Sequence, residues 1–326
     1  MKTEPIPNSQ LHTWLLSAFP GAQHLSILER IEQPSFQQHL ERVTVELAYP
    51  GEEPTLMPVF LRVYTGYLSW WTLATPDLPQ REWTAWRVAT RAGLPIPRTF
   101  FTNQDEPPLA IQAVALGDDL WNHLNAVVIT DFAQLLVRMH RAPLEDDDKL
   151  HLPDVTLPPL MKRFARWAAE SEDSAGAGMV RALTARLESF GERPAAFIHG
   201  DSHFGNYLSD GQAITAILDW EEAAQGDPRL ELAVVDTCLR RQVSVELADL
   251  FLRSYEETAG WKIGSLDPWR EVLQLRHRLT CGWVKYRIEH GLPLPPTDPS
   301  AWIEYFYRVS FNLIPTPSLK KGEGPK

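Results

Sequence analysis

The residues between His199 and Trp220 hold the densest concentration of reactive side chains in the sequence. They read His199-Gly-Asp-Ser-His-Phe-Gly-Asn206, then an apolar segment, then Ile217-Leu-Asp-Trp220. Asp201, Asn206 and Asp219 therefore stand in two polar loops, at the ends of short strands expected over 196–198 and 213–218. Transfer of a phosphoryl group to a hydroxyl needs a carboxylate beside the incoming oxygen and oxygen ligands for Mg²⁺ beside the phosphates. Asp201 meets the first need, and Asn206 with Asp219 meets the second. Each acid alone has an ordinary explanation, Asp201 as a turn former and Asp219 as a cap on the loop at Glu221 and Glu222. Those explanations do not account for both acids, the amide and an intervening strand in one ordered set. Glu221 and Glu222 are expected to face solvent or substrate rather than metal.

These loops need a scaffold. Apolar spacing predicts an N-terminal helix over 11–19, ended by Pro20-Gly21, and strands over 25–31, 42–49 and 57–64, the second with Val43, Val45 and Leu47 on one face. A helix over 82–92 ends at Gly93, and Leu94-Pro-Ile-Pro97 cannot continue it. Strands at 98–101 and 109–115 complete a small antiparallel sheet with one main helix. Beyond residues 113–117 the pattern turns mostly helical, with segments at 129–139, 160–169, 180–190, 230–240, 245–258, part of 268–290, and 300–311. Residues 145–148 and 152–159 read as surface connections. The expected class is α+β, with a small N-terminal lobe and a larger, mostly helical C-terminal lobe. The division falls into a nucleotide-binding lobe with an N-terminal helical extension, 1–114, and a catalytic and substrate-binding lobe, 115–326.

The ordered motif resembles the aminoglycoside phosphotransferase and choline-kinase-like family, a branch of the protein-kinase-like fold. That family's loop reads His-Gly-Asp-x-His-x-x-Asn, followed by an Asp and an aromatic residue. The resemblance runs from about residue 25 to about 311 and is best over 198–232, where Gly226-Asp-Pro228 and Leu230-Glu-Leu-Ala233 also match. It implies that Asp201 orients the acceptor hydroxyl and collects its proton. Asn206 would hold one Mg²⁺, and Asp219 would bridge metal to the β- and γ-phosphates. His199 fixes the loop by hydrogen bonding; His203 either does the same or touches the acceptor. Asp227 caps the next helix. In the first lobe the resemblance places Arg62 on the α- and β-phosphates with Glu82 as its partner, the alternative being a surface ion pair. The phosphate loop, residues 31–39, lacks the glycine that many family members carry, leaving Ser35 to offer a hydroxyl or amide there. The base would be read near 111–114, and Asp118 or Asp119 would be a helix N-terminal acid.

The implied activity is a Mg²⁺-dependent kinase moving the γ-phosphate of ATP, or GTP, onto a hydroxyl of an amino sugar, choline-like alcohol or related metabolite. The alternative is a catalytically inactive kinase-like protein that binds a nucleotide or metabolite. Tyr255, Trp261, Trp269, Trp283, Tyr286, Arg287, Trp302 and Tyr305 are candidates for the acceptor wall, although Trp283 and Trp302 equally suit helix packing. The 326 residues carry 42 acids against 31 basic residues, a formal charge of −11. That balance argues against sequence-independent nucleic-acid binding and is compatible with a cationic acceptor. Cys238 and Cys281 lie far apart with no CxxC, which suits a reducing cytoplasm and argues against a disulfide framework or a structural zinc site. The first ten residues do not resemble a signal peptide, and no apolar run approaches the ~20 residues that span a bilayer.

Overall fold

Residues 6–33, 38–64, 68–69, 73–74, 78–105, 107–191 and 193–292 are described by a computed structural model. Ser35, Trp302, Tyr305 and the helix expected over 300–311 lie outside the described residues.

The chain opens with helix α1 (Asn8–Ala18), then strands β1 (His24–Gln33), β2 (Gln38–Ala48) and β3 (Thr55–Tyr64). A short hairpin, β4 (Leu68–Ser69) and β5 (Leu73–Ala74), leads to helix α2 (Leu78–Arg91) and strands β6 (Thr99–Asn103) and β7 (Leu109–Ala113). The main sheet is antiparallel in the order β1-β2-β3-β7-β6. Alternation decides its two faces. Val43, Val45, Leu47, Val59, Leu61, Val63, Leu109 and Ile111 pack with Leu11, Trp14 and Leu15 of α1. The intervening residues Arg62 and Tyr64 point the other way, towards α2, and Arg62 is paired in register with Leu40 and Ala110. Helix α2 starts four residues before the expected 82, because Pro79 sits in the first turn, where its missing N–H is harmless. It stops at Gly93, whose φ of 64° is a left-handed conformation suited to glycine.

The second lobe begins with β8 (Asp118–Asp119), which pairs with a later strand. Asp119 precedes a single 3₁₀ turn, Leu120–His123, without a side-chain capping bond. The expected helix N-terminal acid is thus an edge-strand residue, and Asn125 instead caps helix α3 (Ala126–His140). Helix α4 (Asp146–His151) occupies the stretch read as a surface connection. The four acids of 145–148 belong to that expected surface stretch, yet Asp148 is buried against Arg91. After β9 (Asp154–Val155) come α5 (Leu157–Glu170), α6 (Ser174–Leu187), β10 (Ala196–Ile198), β11 (Tyr207–Ser209), β12 (Ile214–Ile217) and β13 (Ala224–Gly226). Helices α7 (Pro228–Gln242), α8 (Val245–Ala259) and α9 (Asp267–Glu289) complete the described chain. Among the described residues no helix is long and apolar enough to cross a membrane.

Asp227 takes the capping role expected of it, accepting a bond from the Arg229 amide at 2.8 Å. It also pairs with the Arg229 guanidinium at 2.7 Å, while that group donates to the Gly191 carbonyl and lies 4.3 Å over the Trp269 ring. Both charged side chains are about 4% exposed, so removing one strands the other in a dry site. Asp227→Ala is expected to cost about 3–5 kcal/mol, read as a lower urea midpoint. Asp227→Ala combined with Arg229→Met should cost less than the single change.

Candidate active site

Two antiparallel strand pairs place the reactive loops. Strand β10 pairs with β13, and β11 with β12, so the loop after β10 and the loop after β12 emerge side by side. Gly200 makes the turn before Asp201 with φ of 83°, a conformation strained for other residues. The His199 ring then joins the loops. Its Nε2 lies 2.7 Å from the Leu218 carbonyl, which only accepts, so Nε2 carries the hydrogen. Nδ1 is left to accept the Asp201 amide at 3.3 Å. The Leu218 amide in turn donates to the Asn206 carbonyl at 2.8 Å.

Asp201 and Asn206 touch directly. The Asn206 amide nitrogen donates to the Asp201 carbonyl at 2.8 Å and faces its carboxylate at 3.3 Å. With the nitrogen committed, the amide oxygen is the group available to a cation. His203 accepts the Gly205 amide at 3.0 Å through Nδ1, and its Nε2 lies 3.5 Å from the Asp201 carboxylate. It therefore braces the loop while standing, half exposed, beside Asp201.

Asp219 adopts φ 58°, ψ 67°, one of two non-glycine residues with positive φ among those described. Its carboxylate lies 3.4 Å from Arg62, which also donates to Glu82 at 2.6 Å. Glu82 is fully buried and accepts a second bond from the Tyr64 hydroxyl at 2.5 Å. The Arg62–Glu82 pair is thus an interior bond between β3 and α2 rather than a surface ion pair. Burial, partly offset by Arg62, raises the Glu82 carboxyl above its ordinary pKa. Burial would weaken the Arg62 charge, but Glu82 and Asp219 outweigh it and hold the guanidinium firmly protonated. Its Nε is buried without an acceptor among the described residues, leaving donor capacity that a phosphate oxygen would satisfy.

Several residues outside the sequence reading support the loop. Glu231 of α7 is completely buried and accepts from the Gly200 amide at 3.1 Å and the Ser202 hydroxyl at 2.5 Å. Because Ser202 donates there, the Tyr207 hydroxyl at 2.6 Å must donate to Ser202. His140 of α3 bonds the other Glu231 oxygen at 2.7 Å, and its second nitrogen meets the Tyr255 hydroxyl at 2.7 Å. Burial raises the Glu231 carboxyl, but the hydrogen bond and charge of His140 overcome this and leave it below the ordinary value. The available signal was an acid set among Leu230, Leu232 and Ala233, four positions after the capping Asp227. Glu222 departs from the expectation of a solvated face, being 1% exposed.

The donor set suits Mg²⁺. Asp201, Asn206 and Asp219 offer hard oxygen atoms, and Asp219, Glu221 and Glu82 repel one another around the guanidinium of Arg62. No group of three His, Cys, Asp or Glu side chains among the described residues is arranged to hold a metal unaided. A Mg²⁺ ion held by one or two protein ligands, water and phosphates does not require one.

A family model described as phosphotransferase enzyme family matches residues 71–269. No curated protein matches the sequence significantly. Solved structures share the fold. One is a candidate aminoglycoside phosphotransferase from Ralstonia eutropha JMP134, at 16% identity and TM-score 0.61, covering 94% of this chain and 97% of that one. Another is the macrolide 2′-phosphotransferase MphH from Brachybacterium faecium, at 15% identity and TM-score 0.58, with 94% and 99% covered. A thermostable mutant of aminoglycoside phosphotransferase APH(4)-Ia aligns at 20% identity and TM-score 0.55, with 92% and 97% covered.

The acidic side of the site yields a pH prediction. Burial and then the nearby charges of Asp219, Glu222 and Glu82 raise the Glu221 carboxyl well above 4.5. The folded state therefore holds this proton more tightly than the unfolded chain does. Its contribution is greatest below the unfolded value and is lost as pH rises through the folded value. Glu221→Gln should raise the thermal midpoint of the ligand-free protein, and the gain should grow as pH rises above 4.5. A gain that shrinks with pH in differential scanning calorimetry contradicts this.

Proposed function

The chain belongs to the phosphotransferase enzyme family, and from that premise we propose that it is a small-molecule kinase using Mg²⁺ and ATP, or GTP. The observation that carries this reading is the contact of Asp201 with Asn206, on a loop bonded through Leu218 to the one bearing Asp219. In this assignment residues 1–114 bind the nucleotide and residues 115–326 supply the catalytic loop and acceptor site.

Arg62, fixed by Glu82 and Tyr64, binds phosphate oxygens from the first lobe. Asn206 and Asp219 would hold Mg²⁺, which when bound supplies positive charge beside the transferring phosphate. Asp201 accepts the proton of the acceptor hydroxyl as its oxygen bonds to phosphorus. Its carboxylate is 29% exposed and so reachable by an acceptor, while Asn206 and the His199-bonded amide fix its direction.

The acceptor is an amino sugar, a choline-like alcohol or a related metabolite. The acids Asp201, Asp219 and Glu221 and the overall charge of −11 support a cationic group on it. The C-terminal aromatics contribute less than expected. Trp269 and Tyr255 are buried in the core, and Trp283 packs inside while donating to Glu170 at 2.8 Å. Trp261, half-buried against Tyr255 under Arg193, and Tyr286, bonded to Glu172, remain near the surface. The relatives named for aminoglycoside and macrolide acceptors support a hydroxyl-bearing molecule of some size.

A second reading, a kinase-shaped protein that binds without transfer, is favoured by the absence of glycine from residues 31–39. A thermal-shift comparison of ATP and GTP, with and without Mg²⁺, separates the two. The proposal requires Mg²⁺-dependent stabilisation, followed by labelled phosphate appearing on one class in a panel of amino sugars, choline-like alcohols, neutral sugars and amino-acid alcohols. Asp201→Asn should retain Mg²⁺-nucleotide binding and lose roughly 10²–10⁴-fold in transfer. Asp219→Ala should also weaken that binding. Unchanged transfer by Asp201→Asn overturns the catalytic assignment, and turnover confined to neutral or anionic alcohols overturns the cationic acceptor.

A further inference from the structure

A cavity of about 840 Å³ opens beside α2, away from the residues assigned to phosphoryl transfer. Its first wall is one helical face of α2, carrying Trp83, Trp86, Arg87 and Arg91. The opposite wall is the segment after α2 with strand β6, including Arg98 and Thr102. None of Arg62, Glu82, Asp201, Asn206 or Asp219 lines it. The volume falls within the ~300–1,000 Å³ typical of small-molecule sites.

The lining has a definite chemistry. It combines indole and aliphatic surface with three arginines and contains no carboxylate, although the whole chain carries −11. Arg87 is held by Asp147 at 3.1 Å, and Arg91 by Asp148 and by Glu145 at 3.5 Å. Arg98 makes no ion pair among the described residues; its guanidinium stands 5.1 Å over the Phe100 ring. An exposed arginine beside buried indoles suits a ligand with a flat apolar body and one anionic group.

The same helix reaches the phosphate site. Glu82 projects from another face of α2 onto Arg62, and Arg81 donates to the Glu221 carbonyl at 3.1 Å. Arg87 and Arg91 tie α2 to α4 in the second lobe. We propose that this cavity is a second ligand site for an aromatic or branched apolar monoanion, and that its occupation weakens nucleotide binding. An anion seated at Arg98 also attracts Arg87 and Arg91, which line the same cavity, away from Asp147 and Asp148. Helix α2 then loses its tie to α4, and Glu82 no longer holds Arg62 so firmly. The binding claim is independent of the kinase reading; the effect on nucleotide rests on it.

The probe is 8-anilinonaphthalene-1-sulfonate, with uncharged N-phenyl-1-naphthylamine as its control, titrated by fluorescence against the full chain. The sulfonate should saturate one site, and the uncharged compound should bind at least tenfold more weakly. Arg98→Glu, which reverses the charge, and Thr102→Trp, which fills the exposed mouth, should each weaken sulfonate binding at least tenfold. Equal binding of the two compounds, or unchanged binding in both variants, overturns the site. Saturating sulfonate should raise the Kd of Mg²⁺-ATP at least threefold by calorimetry in the unaltered chain and leave it unchanged in Arg98→Glu. An unchanged Kd in the unaltered chain overturns the coupling. A chain that binds the sulfonate as expected but no Mg²⁺-ATP retains the site and loses both the coupling and the kinase reading.

Discussion

The backbone of one residue, Leu218, holds the two reactive loops in register. Its N–H is taken by the Asn206 carbonyl and its C=O by the His199 ring, so both ends of the catalytic loop grip the residue before Asp219. This grip explains how Asp219 stays left-handed, a conformation that costs roughly 1–2 kcal/mol for a residue with a side chain. Immediately after it, the Trp220 ring is fully buried, stacked on Phe197 at 5.4 Å and set 4.7 Å from His199. Strain at one residue is thereby surrounded by bonds and packing that permit no easy relaxation. The carboxylate is aimed across the lobe boundary, where it meets Arg62.

That meeting determines the electrostatics of the cleft. Arg62 stands between Glu82 behind it and Asp219 in front, with Glu221 also acting on its charge. Burial, and after it the mutual repulsion of these acids, raises the Glu82 and Glu221 carboxyls. Under the proposed assignment, Asp219 would hold a divalent cation whose charge offsets this repulsion, and Arg62 would be left to phosphate oxygens. The 3.4 Å Arg62–Asp219 contact is long for a charge-assisted hydrogen bond, as befits a contact that can be exchanged, whereas the 2.6 Å bond to buried Glu82 anchors the guanidinium.

The sequence makes the candidate loop legible because its polar residues are local. His199, Asp201 and Asn206 are neighbours within one turn, Asp219 follows one short strand pair later, and period-two alternation exposes the sheet. The longer-range devices were less legible. Asp148 belongs to the four-acid stretch 145–148 read as a surface connection, and Arg87 and Arg91, some 60 positions earlier, make it an interior residue. Tyr255 and Trp269 looked like recognition aromatics because their residue types suit both roles. Their partners His140 and Arg229 come from other helices, and those contacts turn both rings inward. The surface-pair alternative for Arg62 and Glu82 likewise could be decided only by the depth at which α2 crosses the sheet.

Glu231 shows why such a buried charge is retained. A carboxylate in a dry interior is ordinarily a liability, and an apolar residue of similar volume often serves stability as well or better. An apolar side chain cannot, however, accept the Gly200 amide, and that amide belongs to the turn that aims Asp201. Nor can it orient Ser202, whose hydroxyl receives Tyr207 and passes its own hydrogen to the same carboxylate oxygen. His140 bonds the second oxygen and so holds the Glu231 carboxyl below its ordinary range against the upward push of burial. The bonds run from the helical core to the loop backbone, so the position of Asp201 is set by the packing of α3, α7 and α8 as well as by the bonds within the loop. What the molecule gains from the buried pair is direction at the Asp201 carboxylate.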